Sequence, residues 1–381
     1  MIPMYQYANA LVNRGHRVTV FTGNTFKLKP AKYPSEEIIK GIAVRRFKIC
    51  PLPLYDQFFL SFGFLISLAS FQTDVIHLFS WIPSFFIFST FMIAKLRGIP
   101  LIMYPQCYPE RSAYSPSLVK RLFGSFMDKA LGPIFFKRAD AVIALTQKEA
   151  IFYKRAGVKK IEIVREPVLE NKPLGWNSLG NFKRKFGIYR EDLVILSVAR
   201  IVRYKGIHVL IYAVAHLLKN GVNAKLLVVG EDWGFLSKCL ALAAQLRCQS
   251  HVIFTGHISE AELSCAYEVA RVVVIPSFFE GYGRVVLEGW LHNKPVIVTE
   301  SVGLSEIVSP DRGLVVKTGD WQSLAAALHR LLKDQEMQSK MAHKGFELTK
   351  HHITLQKAID KLEAIYEHVT YNPRVEAELR C

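Results

Sequence analysis

Short apolar runs, rich in β-branched residues, alternate along the chain with longer stretches of helical periodicity, almost from one end to the other. The pattern predicts strands at 17–23, 42–49, 74–79, 100–105, 139–146 and 160–164 in the first half, and at 193–200, 225–230, 251–256, 271–276, 294–299 and 312–316 in the second. Runs that stay apolar rather than alternating suit strands covered on both faces, with the intervening helices as covers. The expected fold class is therefore α/β, with two doubly wound parallel units. Periodicity is weakest over EPVLENKPLGWNSLGNFK, which gathers Pro, Gly, Asn and Ser, so a linker is expected at 166–183 between domains at 1–165 and 184–354. A last amphipathic pattern at 355–369 follows, and 355–381 is expected to cross back to the first domain. Ligands of open parallel sheets bind at the carboxyl ends of the strands, so two such sheets facing one another would define a central cleft.

Composition narrows the classes. With 381 residues, 50% apolar and 21% charged, the chain can build two cores, and no biased stretch supports a long disordered segment. The segments FFLSFGFLISLASF (58–71) and LFSWIPSFFIFSTFMIA (78–94) look membrane-like, but each is shorter than about 20 residues, and Gln72, Thr73, Asp74 and His77 separate them. Two apolar helices flanking a strand are expected instead, with a membrane-resting face as the functional version of the same pattern. Net charge is 49 − 32 = +17, and the excess sits in front: residues 1–180 hold 24 Lys/Arg against 11 Asp/Glu, and residues 181–381 hold 25 against 21. The asymmetry suggests an anionic partner for the front half, an anionic membrane surface or a lipid pyrophosphate, with a merely basic, solubilising surface as the alternative; nucleic acid ranks third because no recognised motif or regular aromatic interleaving is present. Cys50, Cys107, Cys239, Cys248, Cys265 and Cys381 form neither a C-x-x-C pair nor a zinc pattern, and the first residues lack a signal peptide. A cytoplasmic protein, peripheral on the inner face of the cell membrane and without a bound metal, is the expectation.

Two stretches carry the chemistry. In PSFFEGYGRVVLEGWLHNKPVIVTESVGLSEIV (276–308) a buried strand ends at Pro276, a glycine loop follows, and a helix starts near Gly283. Glu280 is then on the loop and Glu288 in the second turn of the helix. Gly281 and Gly283, with Tyr282 between them, allow close backbone approach, and the helix amino end favours an anion such as a phosphate. In LVILSVARIVRYKGIHVLIYAVAHLLKNG a strand delivers Arg200, and Lys205-Gly206 leads into a helix. Two cations beside a helix amino end form a diphosphate clamp that requires no metal. Each feature alone is more often ordinary surface charge; their joint occurrence is the signal.

Together these segments resemble the donor-binding half of glycosyltransferase family 4, retaining enzymes of the GT-B fold with two Rossmann-like domains. The two glutamates separated by seven residues match Glu280 and Glu288, the Arg and Lys with the K-G step match Arg200, Lys205 and Gly206, and Gly303 to Val308 matches a G-x-P-E-x-V-like turn. The resemblance implies that Arg200 and Lys205 hold the donor diphosphate, Glu288 the ribose, Glu280 the transferred sugar, and the loop Gly256, His257, Ile258 the base. The nucleotide diphosphate sugar is then a substrate, and no cofactor is needed. The implied reaction moves a hexosyl unit, with retention, to a lipid-linked acceptor or a cell-envelope glycan.

Two departures bear on that transfer. Relatives often carry a histidine in the loop after the strand at 100–105, where this chain has Gln106, which hydrogen-bonds but exchanges no proton near neutral pH. His77 is the alternative catalytic group, beside its reading as a structural histidine. The family also opens with a strand and a glycine-rich turn, whereas Met1 here stands almost on a helix beginning near Pro3, so the central first strand is expected to be missing from this chain. The rival functions are a non-catalytic or truncated nucleotide-sugar-binding protein and a nucleotide-sugar epimerase.

Overall fold

The computed structural model describes residues 3–26, 29–30, 32–51, 59–79, 84–105, 122, 124–168, 176–301 and 303–371. It divides into two compact units, one of Met1–Glu166 with Leu355–Cys381 and one of Pro167–Thr354.

The first unit opens with helix α1 (Pro3–Asn13) and then carries two larger sheets, beside the two-stranded pairs Thr25–Phe26 with Lys29–Pro30 and Cys50–Pro51 with Phe59–Leu60. Strands β1 (Thr19–Gly23), β2 (Glu36–Ile39) and β3 (Ile42–Phe47) form the smaller one in the order β1-β3-β2, with β1 parallel to β3 and β2 antiparallel to it. Strands β4 (Ile76–Phe79), β5 (Leu101–Tyr104), β6 (Ala141–Ala144) and β7 (Ile161–Ile163) form a parallel sheet in the order β7-β6-β5-β4. The hairpin β2-β3 was not expected from the sequence. Its two-residue turn uses Lys40 (φ 48°) and Gly41 (φ 81°), the positive-φ pair of a hairpin turn whose twist matches the strands, without the Asn-Gly or Asp-Gly that usually announces one.

The two apolar segments are helices α2 (Phe62–Ser70) and α3 (Phe85–Arg97). Ser84 caps α3 by accepting from the Ile87 amide, and Gly98 ends it in a left-handed conformation. Phe64, Leu68 and Ile93 are buried together against Phe21, Phe47 and Phe86, so one face of each helix is ordinary core. The opposite positions Phe62, Ile66, Met92 and Leu96 are exposed. Among the described residues no helix is long and apolar enough to cross a membrane. The first unit continues through α4 (Gly132–Arg138) and α5 (Gln147–Arg155).

The second unit begins inside the stretch that lacked periodicity. Residues 166–183 are not extended throughout, because helix α6 (Trp176–Lys185) occupies the end of the segment, burying Phe182 and pairing Lys185 with Glu262 at 2.6 Å. Six parallel strands follow: β8 (Leu193–Val198), β9 (Ala224–Val229), β10 (Val252–Gly256), β11 (Val272–Ile275), β12 (Val296–Thr299) and β13 (Gly313–Val316). Their order is β10-β9-β8-β11-β12-β13. The helices are α7 (Ile207–Lys219), α8 (Leu236–Gln245), α9 (Glu260–Val269), α10 (Arg284–Leu291), α11 (Leu304–Ile307), α12 (Trp321–Lys333) and α13 (Gln335–His352). β9, β11 and β12 are buried at every position; β11 and β12 are apolar throughout, and the one charge in β9, Lys225, is paired with Asp192 at 2.6 Å.

Helix α14 (Leu355–Thr370) returns to the first unit. Arg14, just past the end of α1, pairs with both Asp360 and Glu363, and the Lys361 ammonium donates to the Ile163 carbonyl at 3.0 Å. These contacts lie at matched positions along one helix face, which is how an amphipathic terminal helix is held.

Candidate active site

In the second unit the strand order reverses between β8 and β11. At such a switch point the loops leaving neighbouring strands run in opposite directions and open a crevice at the carboxyl ends of the strands. Arg200, Lys205 and Gly206 follow β8, while Ser277, Glu280, Gly281, Tyr282 and Gly283 follow β11. The two loops that carried the chemistry in the sequence therefore flank one crevice.

They are also stitched together. The Phe278 amide donates to the Tyr204 carbonyl at 2.8 Å, and a Cβ on Gly206 would lie 1.9 Å from the Pro276 carbonyl oxygen. With φ at 72° as well, position 206 admits only glycine without a backbone shift. A second close approach joins the glutamate loop to the start of α11: the Gly303 amide donates to the Glu280 carbonyl at 3.1 Å, and a Cβ there would meet the Gly281 oxygen at 2.0 Å. The loop backbone is thus fixed from both sides before any ligand arrives.

The side chains follow from this frame. Lys205 Nζ lies 2.5 Å from Glu280 Oε2, with side-chain exposures of only 14% and 21%, and the Ser277 hydroxyl donates to the same oxygen at 3.4 Å. Arg200 donates from Nη2 to the Tyr204 hydroxyl at 2.9 Å, and its guanidinium carbon stands 4.5 Å from the centre of the Trp233 ring. Gly283, left-handed at φ 79°, starts α10, whose second turn carries Glu288. Glu288 Oε2 accepts from the buried Tyr267 hydroxyl at 2.7 Å, and Tyr267 stacks on His292 with ring centres 4.9 Å apart. Burial and the neighbouring Glu288 carboxylate both push the Tyr267 hydroxyl pKa well above its ordinary value, so it is a permanent donor. Gly256 closes β10 at φ 69°, His257 is exposed, and Ile258 leads to a capping box at Ser259 and Glu262 that starts α9.

Two expected residues belong to the first unit. His77 is turned inward on β4: its Nδ1 lies 2.7 Å from the Tyr366 hydroxyl, its ring stacks on Phe79, and burial lowers its pKa to about 3. Neutral at physiological pH, its described contacts are those of a packed side chain tying β4 to α14. Gln106 lies outside the described residues. Tyr204, Trp233, Tyr267 and Ser277 were not singled out from the sequence. Tyr267 hides within an apolar helical pattern, and Trp233 follows the acidic Glu231-Asp232 pair without any motif of its own.

Comparisons with known proteins agree with the fold. The family model described as glycosyl transferases group 1 matches residues 180–348, and the model described as glycosyltransferase family 4 matches residues 4–168. An uncharacterized glycosyltransferase of Methanocaldococcus jannaschii is 28% identical over 349 residues, covering 86% of this chain and 83% of that protein. The alpha-monoglucosyldiacylglycerol synthase of Streptococcus pneumoniae is 26% identical over 89% of this chain and 76% of its own length. The fold is shared with Anabaena HepE, solved with UDP and glucose, at a TM-score of 0.70 and 16% identity over 85% of this chain and 86% of that one. The family matches and the shared fold define a nucleotide-sugar glycosyltransferase of the GT-B fold. The two models between them match most of the chain, which is a glycosyltransferase family 4-like protein of the GT-B fold.

Proposed function

We propose that Arg200 and Lys205 bind the diphosphate of the donor, that Glu288 accepts from the ribose hydroxyls and Glu280 from hydroxyls of the transferred hexose, and that Gly256, His257 and Ile258 border the base. Gly281, Tyr282 and Gly283 bring backbone amides and the amino end of α10 to the same anion. The single observation that carries this reading is the pairing of Lys205 with Glu280 at the switch point, a cation for phosphate and a carboxylate for hydroxyls within one hydrogen bond. In the transfer step the bond from the anomeric carbon to the leaving phosphate oxygen breaks and the bond to the acceptor oxygen forms on the same sugar face. The acceptor proton passes to the leaving phosphate. Arg200 and Lys205 stabilise the departing charge, so neither a metal nor a cofactor enters the scheme.

The experiment is binding of UDP, GDP and ADP sugars to the parent and to Arg200→Ala. One base should bind best, and the variant should lose roughly tenfold or more, the worth of one charge-assisted contact to phosphate. Equal affinity of parent and variant for every donor would remove Arg200 from the site.

The first unit is assigned the acceptor, lipid-linked or a glycan, on an anionic membrane surface at the inner face of the cell membrane. Support comes from the 24 basic against 11 acidic residues within 1–180, a stretch that holds most of this unit, and from exposed Phe62 and Ile66 on α2 and Met92 and Leu96 on α3. The protein should sediment with vesicles containing anionic lipid at low salt and be released by salt. Equal sedimentation with neutral vesicles would refute the electrostatic part.

A further inference from the structure

Arg200 leaves the sheet two residues beyond β8, and a long side chain there would ordinarily sample many rotamers in water. Here it is held on two sides. The guanidinium carbon stands over the Trp233 ring, 4.5 Å from its centre, and the Tyr204 hydroxyl accepts from Nη2 at 2.9 Å. Trp233 is itself 55% exposed, so its ring is not placed by burial in the core.

Its placement comes from the backbone. The Ile201 amide donates to the Glu231 carbonyl at 2.8 Å, and the Trp233 amide donates back to the Ile201 carbonyl at 3.0 Å, tying the loop after β9 to the residue following Arg200. Asp232 then closes the turn with one oxygen, Oδ1, which accepts from the amides of Gly234, Phe235 and Leu236 at 2.8, 3.0 and 3.1 Å. The indole is thereby fixed relative to Arg200 by main-chain bonds on one side and a side-chain-locked turn on the other.

We infer that Trp233 is a positioning residue for Arg200: it holds the guanidinium plane so that the N–H edge not used by Tyr204 is presented to the donor diphosphate. This rests on the reading of Arg200 as a diphosphate ligand. The geometry suits that role because the donors of a guanidinium lie in its plane, so stacking on its face consumes none of them. Fixing the side chain before the ligand arrives removes part of the ordering cost of binding. The free face of the indole has a rival use, as a stacking platform for the nucleobase, and the two uses part on whether a ligand without a base feels the ring.

The test uses inorganic pyrophosphate, which has neither base nor sugar, and UDP, titrated calorimetrically into the parent, Trp233→Ala, Trp233→Phe, Arg200→Ala and the double variant Trp233→Ala/Arg200→Ala. Thermal melts that coincide with the parent's establish folding, as expected for so exposed a side chain. Trp233→Ala should weaken pyrophosphate about fivefold, the size of one cation–π contact, and Trp233→Phe should recover most of it. In the Arg200→Ala background the tryptophan change should add less than about twofold, the mark of two residues acting as one unit. The inference is overturned if Trp233→Ala weakens pyrophosphate equally with and without Arg200, if it weakens UDP alone, or if it alters neither. Arg200→Ala leaving pyrophosphate unaffected marks failure of the clamp itself; Arg200→Ala weakening it while Trp233→Ala does not marks failure of the positioning role alone.

Discussion

Lys205 and Glu280 make opposite demands on one another, and this leads to a prediction with an unusual sign. The ammonium pairs with a carboxylate 2.5 Å away, in a site where both side chains are mostly shielded from water. A diphosphate entering the crevice competes with Glu280 for Lys205 and meets its negative charge. Two unit charges about 4 Å apart interact by about 4 kcal/mol at an effective dielectric constant of 20, and a hydrogen bond to a charged group contributes about 1.5–3 kcal/mol net. Glu280→Gln removes the charge and keeps the shape, including an oxygen that still accepts from Lys205. The gain is therefore set near the low end, about 1.4 kcal/mol, or tenfold tighter binding of inorganic pyrophosphate. The same change should fail to tighten a nucleotide sugar by that factor, because the glutamine amide accepts less strongly from the hexose hydroxyls. Calorimetry with both ligands, at low and high salt, reads the two effects. Pyrophosphate binding that is unchanged or weaker in Glu280→Gln, while Lys205→Met still loses affinity, would refute the competition.

Gly206→Ala places a Cβ 1.9 Å from the Pro276 oxygen in a left-handed conformation, which costs about 1–2 kcal/mol before the clash is relieved; the unfolding midpoint of the second unit should fall by at least about 4 °C, and an unchanged midpoint would show that the two loops are not in contact. Burial lowers the His77 pKa from 6.5 to about 3, so between those values the unfolded chain binds the extra proton and stability is lost as pH falls. Between pH 7.5 and pH 5 the parent should lose about 2 kcal/mol more than His77→Gln in urea unfolding, and parallel losses would show that His77 titrates normally in the folded state.

All twelve strands expected from apolar runs are present, eleven of them trimmed by one to four residues at their ends and β9 shifted one residue toward the amino end. That part was legible because a strand covered on both faces must be apolar at every position, and β9, β11 and β12 carry nearly unbroken runs of that kind. The donor-side motifs were legible for a related reason: Arg200, Lys205, Glu280 and Glu288 each stand at a fixed offset from a strand end or helix start. Hairpin β2-β3 was missed because its Lys40-Gly41 turn lacks the usual turn pair, and helix α6 because a segment rich in Gly and Asn gives a weak helical signal that packing by Phe182 overrides.

The sequence by itself determined which residues form strands, the α/β class, and which polar residues stand at the ends of those strands, since all of these follow from local periodicity. Tertiary structure alone decided what those residues do to one another. The order β10-β9-β8-β11-β12-β13 sets a loop at 200–206 beside one at 277–283, which makes Lys205 and Glu280 partners across 75 positions of chain. It also sets Trp233 over Arg200 and Tyr267 under Glu288, while in the first unit the return of α14 sets His77 against Tyr366 at the far end of the sequence. Strand periodicity repeats every two residues and helix periodicity every three or four, so neither carries information on which strand becomes whose neighbour; that choice is made by packing of whole faces, and with it the site.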